Sequence, residues 1–218
     1  MLDCEIIESQ KTANASVIWL HGLGADGHDF SPIVPQLGVN QEHIRFVFPH
    51  APMLPVTINS GYVMPAWYDI KSTNIQADED AEGIKQSQQH LHELIEAEHK
   101  QSIAYNRIIL AGFSQGGAVV LYTGLLFSQK LAGIIALSSY LPLADTIQAE
   151  RADTNQSTPI FMGHGMSDSV VPFQAGIQSR QVLKQLDYPI TWNDYAMDHS
   201  ICYEEITDIG AWINKTLG

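Results

Sequence analysis

The stretch LAGFSQGGAVV, Leu110 to Val120, places a serine between glycines where one apolar pattern stops and another begins. Upstream, RIILAG (107–112) is a short continuous apolar run, the mark of a strand covered on both faces. Downstream, Ala118, Leu121, Tyr122 and Leu125 recur at helical spacing. Ser114 therefore stands at a strand-to-helix corner. A bare G-x-S-x-G pattern carries little weight, since ordinary glycine and serine usage produces it in roughly one chain in fifteen of this length. The corner adds the weight, because Gly112 and Gly116 acquire a task there. They let strand and helix backbones approach around a strained turn that a Cβ would crowd.

The same alternation extends both ways along the chain. SVIWL (16–20), IRFVFP (44–49), GIIALSS (133–139), PIFMGHG (159–165) and ITWNDY (190–195) read as buried strands. Helical spacing marks Ile84, Leu91, Leu94 and Ile95, then Ile177, Val182, Leu183 and Leu186, and finally Ile206, Ile209, Ile213 and Leu217. Strands alternating with helices predict an α/β fold with a mostly parallel sheet, its chemistry in the loops after the strands. The 218 residues fit one domain, 1–218, without internal repeats. One connection is unusually long: residues 50–78 hold Pro52, Pro55 and Pro65 and several large apolar side chains. It is expected to lie as a loop over the active site and to act as a flap.

Composition removes other classes. The net charge is -13 with only 11 Lys and Arg and no basic run, so nucleic acid is not an expected partner. The first residues, MLDCEIIESQ, carry acids where a signal peptide carries cations, and no apolar stretch is long enough to span a bilayer. The expected location is cytoplasmic. Cys4 and Cys202 are too few for a disulfide framework or a zinc site and read as reduced thiols.

A serine hydroxyl needs a base, and the base needs a third group to orient it. In a fold with this corner the chain order is Ser, acid, His. Only His164 and His199 follow Ser114, and His164 precedes the good acid candidates, which favours His199. Among Asp145, Glu150, Asp153, Asp168, Asp187, Asp194 and Asp198, only Asp168 directly follows a buried-strand pattern, in GHGMSDSVVP. Asp198 adjoins His199, but neighbouring residues rarely aim their side chains at one another. His164 is expected to shape the loop that carries Asp168.

Acyl transfer also needs donors for a developing oxyanion. The N–H of Gln115, next to the serine, is one candidate, and the N–H of Leu23, between Gly22 and Gly24 in HGLGADG, is the other. That loop lacks the Lys-Ser/Thr of a phosphate-binding loop, so a nucleotide is not expected. No metal or cofactor is implied, because a Ser-His-Asp set splits the reaction with protein groups alone.

Taken together, VIWLHGLGADGHDF, FPHAP, PVTINSGYVMPAWYDI, AGFSQGGAV, HGMSDSVVP and MDHSICYEEI resemble, in order, the blocks of the phospholipase/carboxylesterase family of the α/β-hydrolase superfamily, which includes carboxylesterases and acyl-protein thioesterases. The resemblance implies Ser114 as nucleophile, His199 as base and then acid, Asp168 as its orienting partner, and Leu23 and Gln115 as oxyanion donors. It also sets Trp67 beside an acyl site, with Leu54, Val56 and Met64 from the long loop as further walls. The sequence departs from the family in having Asp198 where glycine commonly precedes the histidine, a change that bears on the base's surroundings. The implied activity is hydrolysis of small or medium acyl esters or thioesters through an acyl-enzyme. The alternative substrates are lipidated proteins or lysophospholipids, with peripheral membrane contact, and the resemblance allows a homodimer. A noncatalytic acyl-binding protein would have no need of serine, acid, histidine and glycine-rich loop together.

Overall fold

The computed structural model describes residues 1–75 and 77–218; Gln76, inside the 50–78 segment, lies outside the described residues. The strands are β1 (Cys4–Ile7), β2 (Ala15–Leu20), β3 (Ile44–Pro49), β4 (Met53–Val56), β5 (Tyr62–Pro65), β6 (Ile108–Phe113), β7 (Gly133–Leu137), β8 (Ile160–Gly165) and β9 (Ile190–Tyr195). The helices are α1 (Ala81–Lys100), α2 (Gln115–Leu126), α3 (Ala144–Glu150), α4 (Phe173–Gln185) and α5 (Tyr203–Leu217). Seven strands form one sheet in the order β1-β3-β2-β6-β7-β8-β9, and β4 and β5 form a separate hairpin. Only the β1–β3 pairing within the large sheet is antiparallel.

From β2 the chain runs outward to β3, then returns through the hairpin and α1 to β6 on the other side of β2. The strand order reverses between β2 and β6, and a parallel sheet opens its ligand crevice at such a reversal. The loops that leave β2 and β6, carrying Leu23 and Ser114, are therefore neighbours.

Alternation within the central strands feeds two apolar layers. Ile18 and Leu20 of β2 join Ile84, Leu91, Val119 and Leu183 on the face covered by α1, α2 and α4. Val17 and Trp19 join Phe46, Phe48, Ile209 and Ile213 on the face covered by α5 and the short 3-10 turn at Ser31–Gln36. Covering both faces explains why β2, β3, β7 and β8 are buried at every residue and lack a polar-out alternation. No helix among the described residues is long and apolar enough to cross a membrane.

Three elements differ from the sequence expectation. β1 is an edge strand whose only exposed residue is Ile6, and four residues with an acid among them give no periodic signal. α3 is a seven-residue helix with one buried side chain, Ile147, in a stretch that reads as polar loop. The 50–78 segment is not structureless: β4 and β5 pair antiparallel from Met53↔Pro65 to Val56↔Tyr62. Pro55 and Pro65 sit in this isolated two-stranded ribbon, where a missing N–H costs no central ladder bond.

At the junction of β2, β6 and α2 backbone packs directly against backbone. A Cβ on Gly112 would stand 2.4 Å from the carbonyl carbon and oxygen of Gly116, and one on Gly116 would stand 2.5 Å from the Leu20 oxygen and 2.6 Å from that of His21. Backbone cannot yield as a side chain does. Gly116→Ala is expected to lower unfolding free energy by about 2 kcal/mol or more, the upper part of the overpacking range, as measured by urea denaturation.

Candidate active site

Ser114 occupies the corner between β6 and α2 with φ 55° and ψ -119°, a backbone conformation that costs a non-glycine residue of order 1–3 kcal/mol. Two bonds hold it there: its N–H donates to the Leu137 carbonyl at 2.8 Å, and its carbonyl accepts from Ser139 Oγ at 2.8 Å. Gly22 lies against it, since a Cβ on Gly22 would meet the Ser114 Cβ at 3.4 Å and the Phe113 ring at 3.3 Å.

The loops after β8 and β9 supply the other two groups. His199 Nε2 lies 2.9 Å from Ser114 Oγ, and His199 Nδ1 lies 2.7 Å from Asp168 Oδ2. An ionised Asp168 accepts from Nδ1–H, which leaves Nε2 free to accept the serine proton. Asp168 Oδ1 accepts from the N–H groups of Val170 and Val171, each at 2.9 Å. Burial would raise the Asp168 carboxyl, but the hydrogen bond and charge of His199 and the two N–H donors outweigh it and hold it below the ordinary value. His164 Nε2–H donates to the Val171 carbonyl at 3.0 Å and approaches Asp168 Oδ2 to 3.5 Å. His164 thus braces the Asp168 loop, and burial lowers its own basicity.

Ser114 and His199 follow strands three places apart in the sheet, so the His199 loop must fold back across β8. Gly165 lets it cross: a Cβ there would stand 2.3 Å from the Asp198 carbonyl oxygen and 2.6 Å from that of Met197. The Met166 N–H donates to the Tyr195 carbonyl and the Ser167 N–H to that of Met197, tying the Asp168 loop to the His199 loop. Asp198 itself is exposed.

On the other side, Leu23 sits between Gly22 and Gly24, the latter at φ +78°. Gln115 is the first residue of α2, whose opening N–H groups have no helical acceptor. Gly22, Gly24 and Gly27 also carry the glycine spacing of a dinucleotide loop, but the chain enters turns and a short 3-10 segment instead of a phosphate-binding helix. Among the described residues, no cluster of three His, Cys, Asp or Glu side chains could hold a metal ion.

A cleft of ≈ 270 Å³ opens at Ser114, lined by Gly22, Leu23, Ala25, Asp29, Phe113, Val170 and His199. Leu54, Val56, Met64 and Trp67 of the long loop do not line this cleft. Val56 and Trp67 are fully packed into the interior. Trp67 turns its indole N–H to the His21 carbonyl at 2.9 Å, under the crevice. Met64 belongs to the hairpin, with its sulfur beside Gly24, and Leu54 pairs with it across the ribbon. The apolar walls are instead Leu23, Phe113 and Val170, from the loops that carry the polar groups. Val170 is legible in hindsight as an apolar residue two positions after Asp168. The supporting side chain of Ser139 escapes sequence reading because its partner, the Ser114 carbonyl, is a distant backbone group.

The family model described as Phospholipase/Carboxylesterase matches residues 2–217. Acyl-protein thioesterase 1 of Gibberella zeae is 42% identical over 219 residues, covering 96% of this chain and 92% of that protein. The crystal structure of Arabidopsis thaliana SOBER1 is 30% identical with a TM-score of 0.89, covering 94% of this chain and 100% of that one. Zea mays acyl-protein thioesterase 2 is 26% identical with a TM-score of 0.89, and both chains are covered in full.

Because the folded state holds Asp168 below its unfolded pKa, its contribution to stability is complete at neutral pH and is lost as pH falls through the carboxylate range. Asp168→Asn is expected to melt below the parent at pH 7, with the gap closing below about pH 4, as followed by thermal denaturation at both values.

Proposed function

This chain belongs to the phospholipase/carboxylesterase family as a serine hydrolase of esters or thioesters, and we propose that it removes acyl groups from lipidated proteins through an acyl-enzyme on Ser114. The observation that carries the mechanism is the continuous relay from Ser114 Oγ through His199 to Asp168, at 2.9 Å and 2.7 Å. Ser114 Oγ attacks the acyl carbonyl while His199 Nε2 takes its proton. The tetrahedral oxygen accepts from the N–H groups of Leu23 and Gln115. Collapse expels the thiol or alcohol, protonated by His199, and water then repeats the sequence on the acyl-serine. Asp168 keeps the imidazole in the Nδ1–H tautomer and stabilises the imidazolium.

The acyl-protein substrate is supported by relatives named acyl-protein thioesterase, which match this chain over nearly its whole length. The cleft is at the small end for a ligand site. A long acyl chain therefore leaves it over Val170, which is 61% exposed.

The hairpin supports a second reading, contact with lipid. Met53, Tyr62 and Val63 are 61%, 69% and 50% exposed on it, and large apolar side chains exposed together on one element suit contact with lipid. With 24 acids against 11 Lys and Arg, attraction to anionic headgroups does not assist that contact.

An S-palmitoyl peptide with a fluorescent reporter, assayed beside p-nitrophenyl esters of graded chain length, tests the substrate. Both classes are expected to turn over, with Ser114→Ala slower by about a million-fold. A normal rate in that variant removes the mechanism, and cleavage of the esters with the peptide untouched removes the acyl-protein assignment. In vesicle co-sedimentation the protein is expected to bind phosphatidylcholine at least as well as mixtures with phosphatidylserine, and Val63→Glu to bind less. Binding that rises with anionic lipid, or is indifferent to Val63→Glu, contradicts the lipid reading.

A further inference from the structure

The two N–H groups offered to the oxyanion come from segments far apart in sequence, and one lies in a loop that glycines leave free to move. Leu23 is flanked by Gly22 and by Gly24 at φ +78°, and its N–H has no backbone acceptor among the described residues. Nothing in that loop's own sequence sets where the N–H points. The peptide groups around Leu23 are held from outside instead. His21 Nδ1–H donates to the Gly22 carbonyl at 2.7 Å, and the Gly24 N–H donates to the Pro65 carbonyl at 2.9 Å.

The Gln115 side chain reaches the same support. Its Oε1 accepts from the Trp67 N–H at 2.8 Å, and its Nε2 donates to the Tyr68 carbonyl at 2.6 Å. Trp67 completes the connection, because its indole N–H donates to the His21 carbonyl at 2.9 Å. His21 is fixed as the Nδ1–H tautomer, since its Nε2 accepts from the Ala51 N–H at 3.1 Å. A second proton would displace that bond, and burial lowers the His21 pKa, which keeps the ring neutral. His21, Trp67 and Gln115 are only 1%, 2% and 2% exposed, so water does not compete for these bonds. Ser87 Oγ, which donates to the Trp67 carbonyl, anchors the same residue to α1.

We propose that this buried circuit, from the Gln115 amide through Trp67 and His21 to Gly22, sets the spacing of the two oxyanion donors, making Trp67 and the Gln115 side chain positioning residues for the transition state. The proposal rests on the acyl-enzyme reading above. It gives Trp67 a role different from an acyl-pocket wall: the ring lies beneath the crevice, and its N–H acts through His21. It also gives Gln115 two separable functions, with the backbone N–H facing the oxyanion and the amide holding its counterpart in register. Such an arrangement acts on the tetrahedral state more than on the bound ester, because the donors must meet the oxygen where it moves during attack.

Trp67→Phe keeps a buried ring and removes one bond, whereas Gln115→Leu keeps the backbone N–H and removes two. Each is compared with the parent in kcat and KM for p-nitrophenyl butyrate, in Ki for a trifluoromethyl ketone that adds reversibly to Ser114, and in the acid limb of kcat/KM against pH. The expected result is a fall in kcat of about 10- to 100-fold, the scale of a misplacement near 1 Å. The ketone's affinity should fall by a similar factor, with KM nearly constant and the acid limb unmoved. An unchanged kcat, a rise confined to KM, or a ketone Ki that does not follow kcat overturns the proposal. If Gln115→Leu does not fold, Trp67→Phe alone decides. A parent that neither binds the ketone nor loses activity in Ser114→Ala overturns the serine reading, and the circuit with it. A normal parent with indifferent variants overturns the circuit only.

Discussion

The structure depends on a place where backbone touches backbone. The carbonyls that end β2 lie against the first turn of α2, and Gly112 and Gly116 leave the space that a Cβ would fill. That contact sits where the strand order reverses, so the loop bearing Leu23 and the corner bearing Ser114 are brought side by side. The strain at Ser114 is sustained by the same packing. Its N–H is committed to β7 and its carbonyl to Ser139, so the residue cannot relax without breaking into the sheet.

Around Ser114 the chemistry is held from two independent sides. Asp168 and His199 hang from β8 and β9, whose loops are laced together by backbone bonds across Gly165. The Leu23 loop hangs from β2 and from the segment after the hairpin, through His21, Trp67 and Pro65. The hairpin connection contributes none of Leu54, Val56, Met64 or Trp67 to the lining of the cleft at Ser114. Its inner end supports the crevice from below, and its outer face carries exposed Met53, Tyr62 and Val63. The proposed route for a long acyl chain is correspondingly along Leu23 and Val170.

Much of this was legible in the sequence where one physical signal dominated. Continuous apolar runs mark β2, β3, β7 and β8 because both faces of those strands are covered, and helical spacing marks α1 and α5 because each buries one stripe, whereas α2 is buried along every side from Gln115 to Leu125. Ser114, Asp168 and His199 stand out because each follows a strand, and the geometry brings all three within hydrogen-bonding reach. The signal fails where burial is partial or the partner is backbone. β1 and β4 are short with exposed residues, and α3 buries one side chain. Trp67 looks like a pocket wall in a loop of exposed apolar residues. Its actual partner, the His21 carbonyl, is 46 positions away and has no side-chain identity to read. The Gln115 amide is hidden for the same reason.

The central claim is that the acyl group passes through a covalent bond to Ser114. Rapid acid quench of the enzyme turning over p-nitrophenyl butyrate, followed by intact-protein and peptide mass spectrometry, tests it most directly. The account predicts one butyryl group per chain, located on Ser114 in the Leu110–Val120 stretch and absent from Ser114→Ala. A butyryl group on another residue, or turnover with no acylated protein and no burst of p-nitrophenol, would contradict it.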